Sequence, residues 1–112
     1  MHKALLKTTL ILLCVALWAL PAKASEWQFD GVSRIVAISD IHGAHGAMVE
    51  AMRAAGVVDE QLSWVADDTH LVIVGDILDR GPDSRQVMDL LMQLEVEAAA
   101  AGGRVHVLIG NH

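Results

Sequence analysis

Beyond an apolar leader the sequence has no cysteine. The one thiol, Cys14, lies inside that leader, and residues 25–112 contain none. Disulfide frameworks and cysteine-ligated zinc are thereby excluded for that part of the chain. Basic side chains are scarce too. The 112 residues carry a formal charge of −6, and setting aside residues 1–24 removes Lys3, Lys7 and Lys23 but no acid, leaving a net of −9. A segment that acidic offers no basic patch for gripping DNA or an anionic membrane, so no nucleic-acid partner is expected. Long hydrophobic runs are missing as well. The apolar stretch over residues 10–20 is 11 residues long, against roughly 20 for a helix that crosses a bilayer. There are no internal repeats, and no low-complexity tract beyond the four alanines at 98–101.

What the leader does have is an order of parts. Lys3 and Lys7 precede the apolar centre, Pro21 follows it, and Ala22-Lys23-Ala24 closes it. That is the layout of a secretory signal peptide, with cleavage expected before Ser25. A lipid-anchored cysteine would need a small residue before Cys14, where Leu13 stands. Residues 1–24 are therefore read as a signal peptide and residues 25–112 as a periplasmic or secreted product with no stable membrane anchor after cleavage.

The remaining 88 residues alternate strand and helix patterns. Residues 34–39, 70–74 and 104–109 are β-branched runs, read as strands. Met48, Val49 and Met52 mark a helix over 44–55 that stops at Gly56. Val87, Leu90, Leu91, Leu94 and Ala98 form one apolar stripe over 83–101, with Pro82 at the first helical position and Gly102-Gly103 as the stop. Strand, helix, strand, helix, strand predicts an α/β fold with a parallel sheet and right-handed crossovers.

Polar clusters follow each strand: Asp40-Ile41-His42-Gly43, then Gly75-Asp76-Ile77-Leu78-Asp79-Arg80-Gly81, then Gly110-Asn111-His112. In a parallel α/β sheet the loops at the carboxyl ends of the strands converge on one crevice. Carboxylates from Asp40 and Asp76, the His42 imidazole and the Asn111 amide oxygen make a hard-to-borderline ligand set, suited to Mn, Fe or Zn rather than copper. Each cluster alone is ordinary turn chemistry. All three in order, each at a strand end, are not.

Together the clusters resemble the signature of the calcineurin-like metallophosphoesterases: D-x-H, G-D-x-x-D-R-G, and G-N-H followed by an acidic residue. Their form is that of the phosphoprotein phosphatase branch. The stretch from Gly75 to Ser84 and the lead-in Ala101-Gly102-Gly103-Arg104-Val105-His106 are most similar to the bacterial Shewanella-like phosphatases. The resemblance implies the βαβαβ part of an α/β/β/α sandwich and two divalent metal ions. Asp40 and His42 would hold the first ion, Asp76 would bridge both, and Asn111 would hold the second. It further implies that Arg80 clamps the phosphate, that His112 is the general acid and that Asp79 orients it. The activity implied is hydrolysis of phosphate monoesters, on a phosphorylated protein or a small phosphate ester. Runner-up readings are hydrolysis of symmetric dinucleoside tetraphosphates, a branch that generally lacks the aspartate matching Asp79, and an inactive metal-binding fragment. The family places further histidines and an arginine after the last cluster, where this chain stops. An incomplete domain, inactive as it stands, is the expectation.

Other polar and bulky residues take plainer readings. His45 is expected to be a solvated first-turn residue, and His70 and His106 strand-surface side chains. Trp64 would pack over the sheet edge, Asp67-Asp68 form a turn, and Met88 and Met92 flank the stripe as core or near-core.

Overall fold

β-branched residues crowd a helix and suit a pleated strand, and the three runs rich in them form the three strands. The computed structural model describes residues 2–4 and 27–112. The signal-peptide reading, its cleavage point and Cys14 lie outside the described residues. Within them the order is β1 (Ile35–Ile38), α1 (His45–Ala54), β2 (His70–Ile73), α2 (Ser84–Ala100) and β3 (Arg104–Val107). The strands are all parallel, in the order β1-β2-β3. Each observed strand is shorter than its β-branched run, although bonding between strands continues one residue on: Val74 N–H donates to the Ile38 carbonyl at 2.8 Å and Leu108 N–H to that of Ile73 at 2.9 Å.

Both helices end in the same way. The N–H of Gly56 bonds the Arg53 carbonyl at 2.9 Å and that of Val57 the Met52 carbonyl at 2.8 Å. At the end of α2, Gly102 bonds Ala99 at 3.3 Å and Gly103 bonds Ala98 at 2.8 Å. These paired bonds satisfy carbonyls that a helix end leaves open. Pro82 differs from expectation: Asp83 is the N-cap of α2, so the proline precedes the helix rather than starting it.

The core lies on one side of the sheet. Met48, Val49 and Met52 of α1 meet Val87, Leu90, Leu91, Leu94 and Ala98 of α2 over Leu71, Ile73 and Val105 of the sheet. Met88 and Met92 do not join them. They are 41% and 63% exposed, on the side of α2 away from the core. Leu94 is fully buried. Leu94→Ala is expected to cost about 2–5 kcal/mol, measured as a drop in the urea midpoint. A loss below about 0.5 kcal/mol, the scale of a neutral surface change, would mean that α2 does not pack as described.

The connection between α1 and β2 is stapled rather than loose. Asp59 Oδ1 accepts the N–H groups of Gln61 and Ser63, both at 2.9 Å. Glu97 Oε2 on α2 accepts the Trp64 N–H at 2.7 Å. The Trp64 indole donates to the Asp67 carbonyl and packs beside Gly103, at the edge where β3 begins.

The opposite face of the sheet carries Ile35, Ala37, His70, Val72, Arg104 and His106. Ile35 is 63% exposed, and His70, Val72 and His106 are half-buried. Strands apolar on both faces belong between two layers, and here residues 27–32 lie over only part of the second face. No helix among the described residues is long and apolar enough to cross a membrane.

Candidate metal centre

The loop after β1 is anchored by Ile41, which is buried in the core. Its backbone is laced to the loop after β2. His42 N–H donates to the Asp76 carbonyl at 2.8 Å, Gly43 N–H to Ile77 at 2.9 Å, and Gly81 N–H to His42 at 2.7 Å. The approach is too close for any side chain at Gly81: a Cβ there would lie 2.3 Å from the His42 carbonyl oxygen. The loop after β3 closes in the same manner, since a Cβ on Gly110 would overlap the Asp76 carboxylate.

This lacing forces the backbone into sparsely populated conformations. Asp40, His42, Asp76, Asp79 and Arg80 all have positive φ, between 46° and 70°. Among the described non-glycine residues only Leu62 and Asp67 share that property. Left-handed conformations cost energy in L-residues and collect where side chains must be aimed at a ligand. Five of the seven candidate site residues are held this way.

The structure brings the candidates into two adjoining clusters. In the first, ligand atoms of Asp40, His42 and Asp76 lie within 4.8 Å of one another. His42 Nδ1 is 3.2 Å from the Leu78 carbonyl oxygen, which can only accept, so that nitrogen carries the proton. Nε2 then keeps a free lone pair, 3.7 Å from Asp40 Oδ1. A backbone acceptor that fixes the tautomer of a ligating histidine is the usual outer-shell arrangement of a metal site. Asp76 is held below the ordinary carboxylate range, chiefly by the His112 backbone N–H, which donates to Oδ1 at 3.1 Å. Burial opposes this, and the side chain of Asp40 and the Asn111 N–H add smaller effects in the lowering direction. Two carboxylates and the Nε2 lone pair of a neutral imidazole fit a divalent cation.

In the second cluster His112 Nδ1 is 3.3 Å from Asp79 Oδ2, and His112 Nε2 is 3.1 Å from Arg80 Nη2. A guanidinium can only donate, so Nε2 accepts and Nδ1–H points to the carboxylate. Asp79 is also held below its ordinary range, first by the Arg80 backbone N–H at 2.9 Å and then by the His112 imidazole. The rings of His42 and His112 meet edge to face at 5.2 Å, joining the clusters. Asn111 is exposed at the junction, and its side chain has no hydrogen-bond partner among the described residues. His45 is half-buried in the first turn of α1, outside both clusters.

Sequence reading missed three contributors: the Leu78 carbonyl, the His112 backbone N–H and the Ile41 anchor. The first two are main-chain groups with no side-chain signature. Ile41 could have been found, because an apolar residue between two polar ligands has to point elsewhere.

A sheet that delivers oxygen and nitrogen ligands from successive strand ends to one crevice follows the plan of the α/β metallohydrolases. Over residues 33–112 this chain matches the calcineurin-like phosphoesterases, and it belongs to that family. It is 39% identical over 87 residues to Shewanella-like protein phosphatase 2 of Arabidopsis thaliana, covering 78% of this chain and 22% of that protein. It is 38% identical over 76 residues to the asymmetrical bis(5'-nucleosyl)-tetraphosphatase PrpE of Bacillus velezensis, covering 67% of this chain and 28% of that one. The crystal structure of a cold-active protein-tyrosine phosphatase from a psychrophilic Shewanella superposes with a TM-score of 0.71 at 36% identity, covering 73% of this chain and 25% of that one. The chain thus spans about a quarter of the length of the curated relatives it matches.

Proposed function

We propose that this chain carries the ligand-bearing part of a metal-dependent phosphomonoesterase, acting on phosphoproteins or small phosphate esters and exported by residues 1–24. The observation that carries the reading is the juxtaposition of the Asp40–His42–Asp76 cluster with Arg80 and the Asp79–His112 pair. In it Asp40, His42 and Asp76 would hold one divalent ion, and Asp76 with Asn111 would contribute to a second. Bound there, such ions supply Lewis acidity toward the phosphate oxygens and the attacking water. The chain's own residues do the rest. Arg80 leaves the His112 nitrogen for the phosphate, whose oxygens take its planar fork in two parallel bonds. His112 Nε2, freed and protonated beside the Asp79 carboxylate, faces the leaving oxygen and gives it a proton. Asp79, 3.3 Å from Nδ1, keeps the ring in the required tautomer.

The Bacillus velezensis relative, an asymmetrical tetraphosphatase by name, supports a second reading, cleavage of dinucleoside tetraphosphates, but not the symmetric cleavage given as the runner-up from the sequence. Against it stands Asp79, which has a partner in His112 and hence a task in phosphomonoester chemistry. Phosphate release separates the two. With Mn present, the product of the longest open reading frame containing this chain is offered a phosphopeptide and diadenosine tetraphosphate in parallel. Phosphate from the peptide is expected. Cleavage of the dinucleotide alone would replace the first reading with the second. Export is tested by N-terminal sequencing of the periplasmic or secreted product, which should begin at Ser25.

The ligand count gives a further expectation for the chain itself. Among the described residues only one group of three carboxylate and imidazole ligands comes together. Isothermal titration with Mn should therefore show one tight site, lost in His42→Ala. Two tight sites would mean that Asp76 and Asn111 complete the second without further ligands.

A further inference from the structure

The aim of Asp40 and His42 turns on the apolar residue between them. Along β1 the side chains alternate. Val36 and Ile38 pack against the helix-side core, and Ile35 and Ala37 are exposed on the other face. Continued in steps of two, that alternation would send Asp40 into the core and Ile41 away from it. The structure does the reverse. Asp40 is exposed, Ile41 is 5% exposed and belongs to the core cluster, and His42 is half-buried beside the other ligands. The change of phase falls at Asp40, whose φ is 52°, and His42 follows with a φ of 46°.

Left-handed backbone is unfavourable for residues with a Cβ, aspartate being among the more tolerant. Asp40 gains no burial from it. Ile41 does, and burying an isoleucine side chain is worth about as much as two left-handed residues cost. Main-chain bonds complete the turn: Ala44 N–H donates to the Ile41 carbonyl at 2.9 Å, and His42 N–H to that of Asp76 at 2.8 Å. In this conformation His42 Nδ1 meets the Leu78 carbonyl at 3.2 Å, which leaves Nε2 bare for a metal. We propose that Ile41 is a positioning residue of the metal centre, its place in the core keeping Asp40 and His42 turned outward and His42 in the ligating tautomer.

The Ile41 side chain supplies no ligand atom, so it acts only through its neighbours. The effect on metal rests on reading Asp40, His42 and Asp76 as a metal cluster, whereas the effect on the tautomer rests on the loop geometry alone. The second loop has a hold of its own. Ile77 follows Asp76 directly, packs partly buried against the same core, and accepts the Gly43 N–H at 2.9 Å. Shortening Ile41 therefore frees Asp40 and His42 while Asp76 stays in place. A truncation elsewhere in the core separates this effect from general loosening. Leu94 of α2 is fully buried and lies outside both ligand loops, so Leu94→Ala weakens the core without touching the change of phase.

Two measurements test this on the full-length product of the reading frame that contains this chain, freed of metal and labelled in its histidine ring nitrogens. The first is NMR of His42 at about pH 8, where imidazole is neutral, with the signal assigned by its loss in His42→Ala. The unsubstituted protein should carry the proton on Nδ1, and Ile41→Ala should divide it between the two nitrogens. The second is isothermal titration with Mn, whose affinity should fall roughly 10–100-fold in Ile41→Ala, the usual cost of removing an outer-shell support. Ile41→Val keeps the branched shape and should restore the tautomer and most of the affinity. Leu94→Ala should leave both readouts unchanged. If circular dichroism shows Ile41→Ala unfolded, Ile41→Thr takes its place with the same expectations, being shaped like valine but averse to burial. A tautomer or an Mn affinity unchanged in the Ile41 variant would overturn the proposal, and so would equal losses in Leu94→Ala. An unsubstituted protein without any Mn site would instead overturn the metal reading, and the tautomer would then decide the positioning role by itself.

Discussion

In the full-length product of the reading frame that contains this chain, Asp76→Asn is expected to abolish hydrolysis and to weaken Mn binding by more than about a hundredfold, since loss of even an outer-shell partner costs roughly 10–100-fold. The substitution is close to isosteric, which gives the expectation its force. Asparagine tolerates the left-handed backbone at this position, where φ is 51°. Its amide oxygen can still accept the His112 N–H, now 3.1 Å from Oδ1. What disappears is the negative charge, which the same N–H and that of Asn111 stabilise by holding the carboxyl below its ordinary range. Two nearby divalent ions repel, and a shared carboxylate offsets that repulsion while an amide cannot. Titration with Mn and turnover of a phosphate monoester are the measurements, with circular dichroism as the check that the fold persists. Nearly unchanged affinity and turnover would remove Asp76 from the bridging position.

Much of this was legible in the sequence, and for stated reasons. β-branched runs make strands, the stripe from Val87 to Ala98 makes a helix, and parallel strands bring their following loops to one crevice. Those three steps place Asp40, His42, Asp76, Asp79 and Arg80 near one another before any coordinates exist. The flank of α2 was not legible. Met88 and Met92 sit beside the stripe, and whether a flanking position is covered depends on how far the next layer extends, which no local pattern encodes. Pro82 was read as the first helical residue because its fixed φ suits that position. Asp83 suits an N-cap equally well, and the loop bond from Asp83 N–H to the Gly43 carbonyl at 3.0 Å decides the matter. The positive φ values of the site and the Leu78 carbonyl are consequences of loops bonding to loops. The same holds for His70 and His106, each an unremarkable strand residue until the register sets their rings in contact.

In the same full-length product His112→Asn should separate substrates by their leaving groups, whereas Arg80→Ala should not. An alkoxide is strongly basic and leaves only when protonated, so alkyl phosphates should lose roughly 10²–10⁴-fold in kcat, the usual value of general acid catalysis. p-Nitrophenolate departs without a proton, and its phosphate ester should be hydrolysed at close to the native rate. Arg80 contacts the group that every substrate shares, so both esters should fall together in Arg80→Ala. Asp79→Asn should follow the His112 pattern at reduced size, because its carboxylate lies 3.3 Å from His112 Nδ1 and acts through that ring. In the described arrangement His112 Nε2 accepts from Arg80 at 3.1 Å, and a proton can occupy that nitrogen only once the guanidinium has moved to the phosphate. Acid catalysis is therefore coupled to substrate binding. Equal losses on both esters in His112→Asn would sink the acid role and leave His112 as a phosphate-binding or structural residue.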